Sequence, residues 1–307
     1  MTNQARSDIA GLPESPEWFS QAFDVPRTEG YAELDGAPIH YFRWGNPALP
    51  GIVLTHGFMA HARCWAFIAP LLAERYCLAA FDLSGMGDSG WRANYDVEVR
   101  SRECRAVAEH AGLNNPALVC HSYGGSVGLM AAVNDPEYWS RLIVCDMTML
   151  APGEPSQFEQ HQQRRAARGI RPHQVQPSYE AIRQRFRLAP DQPCANQFLM
   201  DYMAKHSVKE TEGGYVWKFD PAIMSLDDNR SPDWWASIAP TFAKLPMPRG
   251  IIYGQHSTMM SARVKTFIRE QANDLIPLVG VPGAHHHIMM DQPIALSTTI
   301  DALLQAL

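Results

Sequence analysis

A serine between a strand-like run and a helix-like run is the first residue whose position suggests chemistry. The apolar run Ala117–Cys120 predicts a strand, Ser122 follows two positions later, and Gly124 and Gly125 begin a helical pattern. Such a turn strains the serine backbone and lifts its hydroxyl above the sheet edge, where the helix N-terminus favours negative charge. Ser122 is therefore a candidate nucleophile, and the alternative is a serine that only caps the helix.

The segment around Ser122 resembles the nucleophile elbow of the α/β-hydrolase superfamily, whose common motif is G-x-S-x-G. Its glycines occupy positions where the chain passes close to itself and only small residues fit. Gly124 matches the second glycine, whereas Cys120 stands in place of the first, and His121 and Tyr123 flank the serine. The resemblance implies that Ser122 is the nucleophile of an acyl-transfer reaction.

A second segment of the chain resembles the oxyanion-hole loop of the same superfamily. Thr55–Phe58 follows a strand-like run, as that loop does. The resemblance implies that the backbone N–H groups of Phe58 and Tyr123 stabilise a developing oxyanion. It also implies that His56 and Gly57, like the residues beside the nucleophile, shape the site without reacting.

A histidine-rich loop near the carboxyl end supplies the candidate general base. The run Val281–His287 follows the last strand-like segment and ends in His285, His286 and His287. The resemblance aligns His286 with the catalytic histidine and leaves its two neighbours as alternatives. A metal site is a further alternative, but consecutive loop side chains diverge and no Asp, Glu or Cys stands at ligand spacing. We expect no metal and no cofactor.

The acid of the candidate triad is displaced. Superfamily members often carry it in a G-x-x-D segment after the seventh strand, but here Gly254–Ser257 ends in a serine. Asp146 lies 24 residues after Ser122, directly behind the strand-like run Leu142–Cys145. Several superfamily branches place their acid after this strand, so we assign the acid to Asp146. The alternative is a residue that caps a helix or ends the strand.

A glycine pattern after the fourth strand-like run invites a different interpretation. Gly85, Gly87 and Gly90 form G-x-G-x-x-G, the pattern of a dinucleotide-binding loop. No helical pattern begins at once, however, and no acidic residue closes a strand about 20 positions later. In the superfamily D-x-x-G-x-G-x-S is a recurring structural turn beside the active site, and we expect that turn here.

Strand and helix patterns alternate along the chain and predict the frame that positions these residues. The strand-like runs are Tyr31–Leu34, Ile39–Trp44, Ile52–Thr55, Cys77–Phe81, Ala117–Cys120, Leu142–Cys145, Gly250–Tyr253 and Leu275–Val281. The helical patterns are Val97–Ala111, Gly125–Val133, Ala262–Gln271 and Pro293–Leu307. With the resemblance, this order predicts an α/β-hydrolase fold: a mostly parallel eight-stranded sheet, helices on both faces and a helical cap inserted after strand 6.

The alternation stops after Asp146 and resumes near Gly250. We interpret residues 149–231 as the helical cap, residues 30–148 and 232–307 as the core, and residues 1–29 as an irregular N-terminal arm. One stretch of the cap is rich in arginine: Arg164, Arg165, Arg168, Arg171, Arg183, Arg185 and Arg187. These residues either attract acidic substrates or partners or form a solvated helix face.

Composition restricts the class of partner. The chain of 307 residues has a formal net charge of −6, which disfavours non-specific nucleic-acid binding. No apolar run approaches the ~18 residues that cross a bilayer, and the N-terminus does not have the pattern of a secretory signal. The six cysteines form no CxxC pair, so reduced thiols are expected. We expect a cytoplasmic monomer or homodimer that acts on a small molecule.

These features predict a serine hydrolase for carboxylic esters or lactones with small to medium apolar acyl groups. The serine separates the chain from dehalogenases and epoxide hydrolases of this fold, whose nucleophile is a carboxylate, and Met59 replaces the proline of epoxide hydrolases. Carbon–carbon bond hydrolysis of ring-cleavage products is the alternative reaction. A weakly catalytic small-molecule receptor is the alternative from another class, because the acid is displaced and the first elbow glycine is missing.

Overall fold

One large, mostly parallel sheet organises the computed structural model, which describes residues 4–152, 171–225 and 232–307. The strands of these ranges are β1 (Arg27–Leu34), β2 (Ala37–Trp44), β3 (Pro50–Thr55), β4 (Cys77–Phe81), β5 (Asn114–His121), β6 (Leu142–Cys145), β7 (Val208–Thr211), β8 (Gly214–Trp217), β9 (Arg249–Gly254) and β10 (Leu278–Val281). Eight of them follow the order β1-β2-β4-β3-β5-β6-β9-β10, antiparallel at the first two pairings and parallel thereafter. The eight-stranded sheet expected from the sequence is confirmed.

Helices cover both faces of this sheet. In the same ranges they are α1 (Gln4–Asp8), α2 (Glu17–Ala22), α3 (Val97–His110), α4 (Tyr123–Asn134), α5 (Tyr179–Arg183), α6 (Gln197–His206), α7 (Pro232–Lys244), α8 (Ala262–Ala272), α9 (Ile288–Asp291) and α10 (Pro293–Ala306). Successive side chains of β3 point to opposite faces. Val53 therefore packs in one core with α3, α4, α7 and α8, and Ile52 and Leu54 pack in the other with α2, α9 and α10. None of the described helices is both long and apolar enough to cross a membrane.

The insertion after β6 is only partly helical. Its described residues contain α5 and α6 together with an antiparallel hairpin of β7 and β8, which the sequence pattern did not predict. Each hairpin strand has four residues, and Lys209 and Glu210 are exposed, so no alternation is long enough to indicate a strand. Three of the cap arginines fall outside the described residues: Arg164, Arg165 and Arg168.

The N-terminal arm contains two short helices, so the expectation of irregular structure was wrong. α1 and α2 have five and six residues, too few for a helical period to be visible in the sequence. Tertiary packing stabilises such short helices. The rings of Phe19 and Phe23 are buried and lie 5.6 and 5.3 Å from the ring of Tyr202 in α6, centroid to centroid. The arm therefore packs against the insertion.

The glycine-rich segment after β4 surrounds a buried carboxylate. The backbone N–H groups of Ala62 and Asp88 donate to Asp82 at 2.6 and 2.8 Å. Gly87 has a φ of +58°, and a Cβ at this position would lie 2.3 Å from the carboxyl carbon of Asp82. The next helix begins only at Val97. Gly87 lets the chain fold around its own carboxylate, which is the structural turn expected from the sequence and not a dinucleotide loop.

His40 binds the same carboxylate and makes stability dependent on pH. Its Nδ1 lies 2.8 Å from Asp82, and its Nε2 lies 2.8 Å from Glu29. Burial by itself would lower the pKa of His40, but the hydrogen bonds to both carboxylates outweigh burial and raise this pKa to about 9. A histidine in the unfolded chain has a pKa of about 6.5. Protonated His40 therefore stabilises the fold fully below about pH 6.5, and this stabilisation is lost as the pH rises toward 9.

We expect deprotonation of His40 to lower the free energy of unfolding by about 2 kcal/mol as the pH rises from about 6.5 to about 8.5. Urea unfolding at intervals across this range measures the effect. A His40→Gln variant cannot titrate, so it should be less stable at the lower pH and show a flatter pH dependence. Parallel curves for the wild type and the variant would contradict the assignment to His40.

Candidate active site

Ser122 lies in the tight turn between β5 and α4. Its φ and ψ are 53° and −120°, which are strained for a residue other than glycine. Its N–H donates to the carbonyl of Cys145 in β6 at 2.9 Å. A Cβ at Gly124 would lie 2.5 Å from Thr55 Oγ1 and 2.6 Å from the carbonyl oxygen of His56. Only glycine fits there, and the turn presents the Ser122 side chain at the edge of the sheet.

Cys120 replaces the first elbow glycine because the following helix leaves room for its sulfur. A Cβ added to Gly128 in α4 would lie 2.3 Å from Cys120 Sγ, so the absence of a side chain at Gly128 leaves room for the Cys120 sulfur. Cys120 is fully buried, and burial raises the pKa of its thiol to about 12. The thiol stays protonated near neutral pH and does not compete with Ser122 as a nucleophile.

The structure brings together the three side chains of the candidate triad. His286 lies in the loop between β10 and α9, and its Nε2 is 2.9 Å from Ser122 Oγ. Its Nδ1 is 2.9 Å from Asp146 Oδ1. Asp146 follows β6 and is fully buried, with its N–H donating to the carbonyl of Ile252 in β9 at 2.7 Å. One continuous chain of hydrogen bonds therefore leads from the serine hydroxyl to a buried carboxylate.

Two further donors hold the carboxylate of Asp146. Ser257 Oγ donates to Oδ1 at 2.5 Å, and the backbone N–H of Gly254 donates to Oδ2 at 2.7 Å. Oδ1 thus accepts from both Ser257 and His286. The sequence pattern presented Ser257 only as the serine that replaces an expected acid, and no role was predicted for it. In the structure the side chain at this position contacts Asp146, which lies after β6.

The three consecutive histidines point to different partners. His285 Nδ1 is 3.1 Å from Asp291, whereas His286 contacts Ser122 and Asp146 as above. Burial lowers the pKa of His287 well below its ordinary value. Burial also lowers the pKa of His121 to about 3, and its neutral ring donates from Nε2 to the carbonyl of His286 at 3.0 Å. In the described part of the chain, these histidines do not form a group of three whose ligand atoms are close enough to hold a metal ion.

A different group of side chains comes close enough to hold a metal ion. In the described ranges, the ligand atoms of His40, Asp82 and Asp88 lie within 4.8 Å of one another. His40 hydrogen-bonds to Asp82, and Asp88 forms ion pairs with Arg63 at 2.8 Å and Lys218 at 2.6 Å. These protein cations already balance the carboxylates, so we interpret the group as an ion-pair network of the core.

The loop after β3 lies against Ser122. A Cβ at Gly57 would lie 3.2 Å from the Cβ of Ser122, so glycine permits this close approach. His56 fixes the loop: its Nδ1 donates to the carbonyl of Gly57 at 2.7 Å, and its Nε2 accepts from Leu83 N–H at 3.0 Å. The ring of Phe58 packs edge-on against that of Tyr123 at 5.6 Å. The side chains of the two residues predicted to form the oxyanion hole are therefore neighbours.

Residues 52–298 match the model of the alpha/beta hydrolase family. The chain belongs to this family. The family and fold predicted from the segments around Ser122 and Phe58 are confirmed.

Relatives within the family match a smaller part of the chain. The uncharacterized hydrolase YugF of Bacillus subtilis (strain 168) is 29% identical over 126 residues, which are 40% of this chain and 46% of that protein. The soluble epoxide hydrolase of Corynebacterium sp. (strain C12) is 31% identical over 121 residues, 39% of this chain and 42% of that protein. The chain thus spans less than half the length of these curated relatives.

Solved structures resemble the chain over most of its length. The thioesterase domain from the curacin biosynthetic pathway has a TM-score of 0.72 at 21% identity, covering 89% of this chain and 99% of that domain. At this identity the likeness shows the fold alone.

The sequence analysis did not identify Arg100, a buried cation beside the turn at Ser122. Arg100 of α3 is fully buried, and its guanidinium donates to the hydroxyl of Tyr123 at 2.9 Å and to the carbonyl of Ser84 at 2.8 Å. It fixes the side chain of Tyr123, which follows Ser122. An arginine on the helix face that packs against the sheet is the signal that would have identified it, because arginine is rarely buried without a specific partner.

A small cavity of about 80 Å³ lies between the insertion and the candidate site. Phe58 and His121 line it from the core, and Leu188 and Met203 line it from the insertion. Apolar groups and sulfur-containing side chains, including Met289, form most of its wall. Such a surface favours an apolar chain over a strongly hydrated group.

Proposed function

We propose that this chain is a serine hydrolase that cleaves carboxylic esters or lactones of small to medium apolar acyl groups. The observation that carries the proposal is the chain of two 2.9 Å contacts from Ser122 through His286 to Asp146. A serine hydroxyl is a weak nucleophile until an adjacent base removes its proton. The position of Ser122 before α4 adds a helix N-terminus that favours the negative charge formed in the reaction.

In the first step, Ser122 Oγ attacks the substrate carbonyl while His286 Nε2 takes its proton. The tetrahedral oxyanion then faces the backbone N–H groups of Phe58 and Tyr123, each of which contributes about 3 kcal/mol to the transition state. His286 returns the proton to the leaving alcohol, and an ester of Ser122 remains. Asp146 accepts from Nδ1, which keeps Nε2 unprotonated before the attack.

In the second step, water hydrolyses the ester on Ser122. His286 takes a proton from the water, the hydroxide adds to the acyl carbon, and the oxyanion occupies the same N–H groups. Collapse releases the carboxylic acid, and His286 returns its proton to Ser122 Oγ. The protein regains its starting protonation state.

Covalent trapping tests the proposal directly. A fluorophosphonate should add to Ser122 with loss of fluoride, and peptide mass mapping should locate the adduct on this residue. Hydrolysis of p-nitrophenyl esters of increasing chain length should show a burst of about one equivalent of p-nitrophenolate and identify the preferred acyl size. Labelling elsewhere, or ester turnover without any reaction at Ser122, would reject the mechanism. Binding of an ester without turnover would favour a receptor.

Ser257 offers a finer test, because it contacts the acid and not the substrate. We expect Ser257→Ala to lower kcat for p-nitrophenyl butyrate by about 3- to 10-fold, since one neutral hydrogen bond contributes about 1 kcal/mol. KM should stay unchanged. Ser257→Thr retains the hydroxyl and should keep most of the activity. A loss in both variants, or a change confined to KM, would assign Ser257 to packing instead.

A further inference from the structure

The cavity beside the candidate site has an uneven distribution of charge. Among its described lining residues, Arg187 has the one permanently charged side chain, and none is Asp or Glu. The lining histidines His121 and His287 are neutral, because burial lowers the pKa of the first to about 3 and that of the second well below its ordinary value. Burial also raises the pKa of the Cys64 thiol, which therefore stays protonated. A single positive charge remains on an otherwise uncharged and mostly apolar wall.

Arg187 differs from the two arginines that precede it, Arg183 and Arg185. Arg183 forms an ion pair with Asp201. Arg185 is exposed and does not line the cavity. Arg187 donates from Nη1 to two backbone carbonyls of its own segment at 2.8 and 2.7 Å. These bonds hold the side chain in place without neutralising it, and no carboxylate within the described ranges forms an ion pair with it.

We propose that Arg187 binds a carboxylate at the far end of the substrate's acyl chain. The preferred substrate class is then an ester or lactone whose short apolar chain ends in an acid. This inference rests on the proposed serine hydrolase function. Guanidinium and carboxylate groups match in geometry and form strong, charge-assisted hydrogen bonds.

Arg187 lines the same cavity as residues that flank the candidate site. The cavity is lined by Phe58 and His121, which flank the candidate site, and by Arg187 from the insertion. Its volume of about 80 Å³ equals roughly three water molecules at liquid density, which suits a chain of a few carbons. Arg187 is exposed, so a bound carboxylate keeps part of its hydration while the apolar chain is buried.

Two methyl esters of equal acyl length test the proposal. Monomethyl glutarate ends in a carboxylate and methyl valerate ends in a methyl group, and a pH-stat records the acid released from each. We expect wild-type protein to have the higher kcat/KM for monomethyl glutarate. Arg187→Gln should lower the ratio of the two kcat/KM values by roughly 10- to 100-fold, mainly through KM, because the lost hydrogen bond involves two charged groups.

Matched variants separate this effect from a general change in surface charge. Arg187→Lys keeps the cation and should retain most of the preference, and Arg185→Gln removes a neighbouring exposed charge and should leave the ratio unchanged. An unchanged ratio in Arg187→Gln, or an equal fall in Arg185→Gln, would overturn the inference. Hydrolysis of p-nitrophenyl butyrate without any preference for the acid-ended ester would overturn it while the proposed function stands. Absence of hydrolysis for every ester would overturn both.

Discussion

Replacement of Ser122 by alanine is expected to lower kcat for p-nitrophenyl butyrate on the order of 10⁴- to 10⁶-fold. In the proposed mechanism the alanine removes the oxygen that forms the acyl bond, and among the described residues no other nucleophilic side chain is hydrogen-bonded to His286 Nε2. The remaining rate would come from the oxyanion donors and substrate binding acting on water. Initial rates with purified variant, checked for loss of burst phase, measure the effect.

A glycine substitution at the same position serves as a control for folding. Ser122 has a φ of 53°, and a residue with a side chain is strained there. Ser122→Gly should therefore be inactive but as stable as the wild type or more so, as urea unfolding would show. Inactivity with retained stability assigns the loss to chemistry. Activity above one tenth of the wild-type value in either variant would mean that the nucleophile lies elsewhere.

Asp146→Asn is expected to lower kcat by about 10³- to 10⁴-fold, with little change in KM. The amide can donate to Nδ1 of His286, which favours the tautomer that has its proton on Nε2 and cannot accept one from Ser122. The variant also loses the charge that stabilises the imidazolium during the reaction. Steady-state rates across pH, with Ser257→Ala as the milder comparison, measure this effect.

The outcome for Asp146→Asn also tests whether Asp146 or another group orients His286. Gly254 N–H and Ser257 Oγ both donate to the carboxylate, and an amide at this position accepts through one oxygen only. A loss of less than tenfold would mean that another group orients His286. A folded, inactive variant supports the acid role of Asp146. Near-ultraviolet circular dichroism at the assay temperature checks that the fold is retained.

A short motif predicts Ser122 as the candidate nucleophile, because close packing between β5, α4 and the end of β3 requires glycine at a fixed position beside it. The turn between β5 and α4 needs a small residue at Gly124, and this requirement comes from contacts with Thr55 and His56 a few ångströms away. Residues that must fit a tight turn leave a short, ordered pattern in the chain. The same holds for the glycine turn around Asp82, where Gly87 contacts the carboxylate.

Short elements of low periodicity were not predictable in this way. The helices α1 and α2 and the strands β7 and β8 have four to six residues each, and tertiary contacts stabilise them more than local propensity does. Phe19 and Phe23, for example, are ordered against Tyr202, which lies far away in the chain. Nothing in the sequence near either phenylalanine specifies that partner.

The sequence by itself determined the order of the longer strands and helices, the turn at Ser122 and the candidates His286 and Asp146, because each shows as a sequence pattern or follows from chain order. Only the tertiary structure decided which side chains meet across distant segments. It placed Ser257 on Asp146 and Arg187 at the edge of the cavity. These contacts join residues more than a hundred positions apart or lie between separate layers, so packing of the whole chain sets them and local pattern does not.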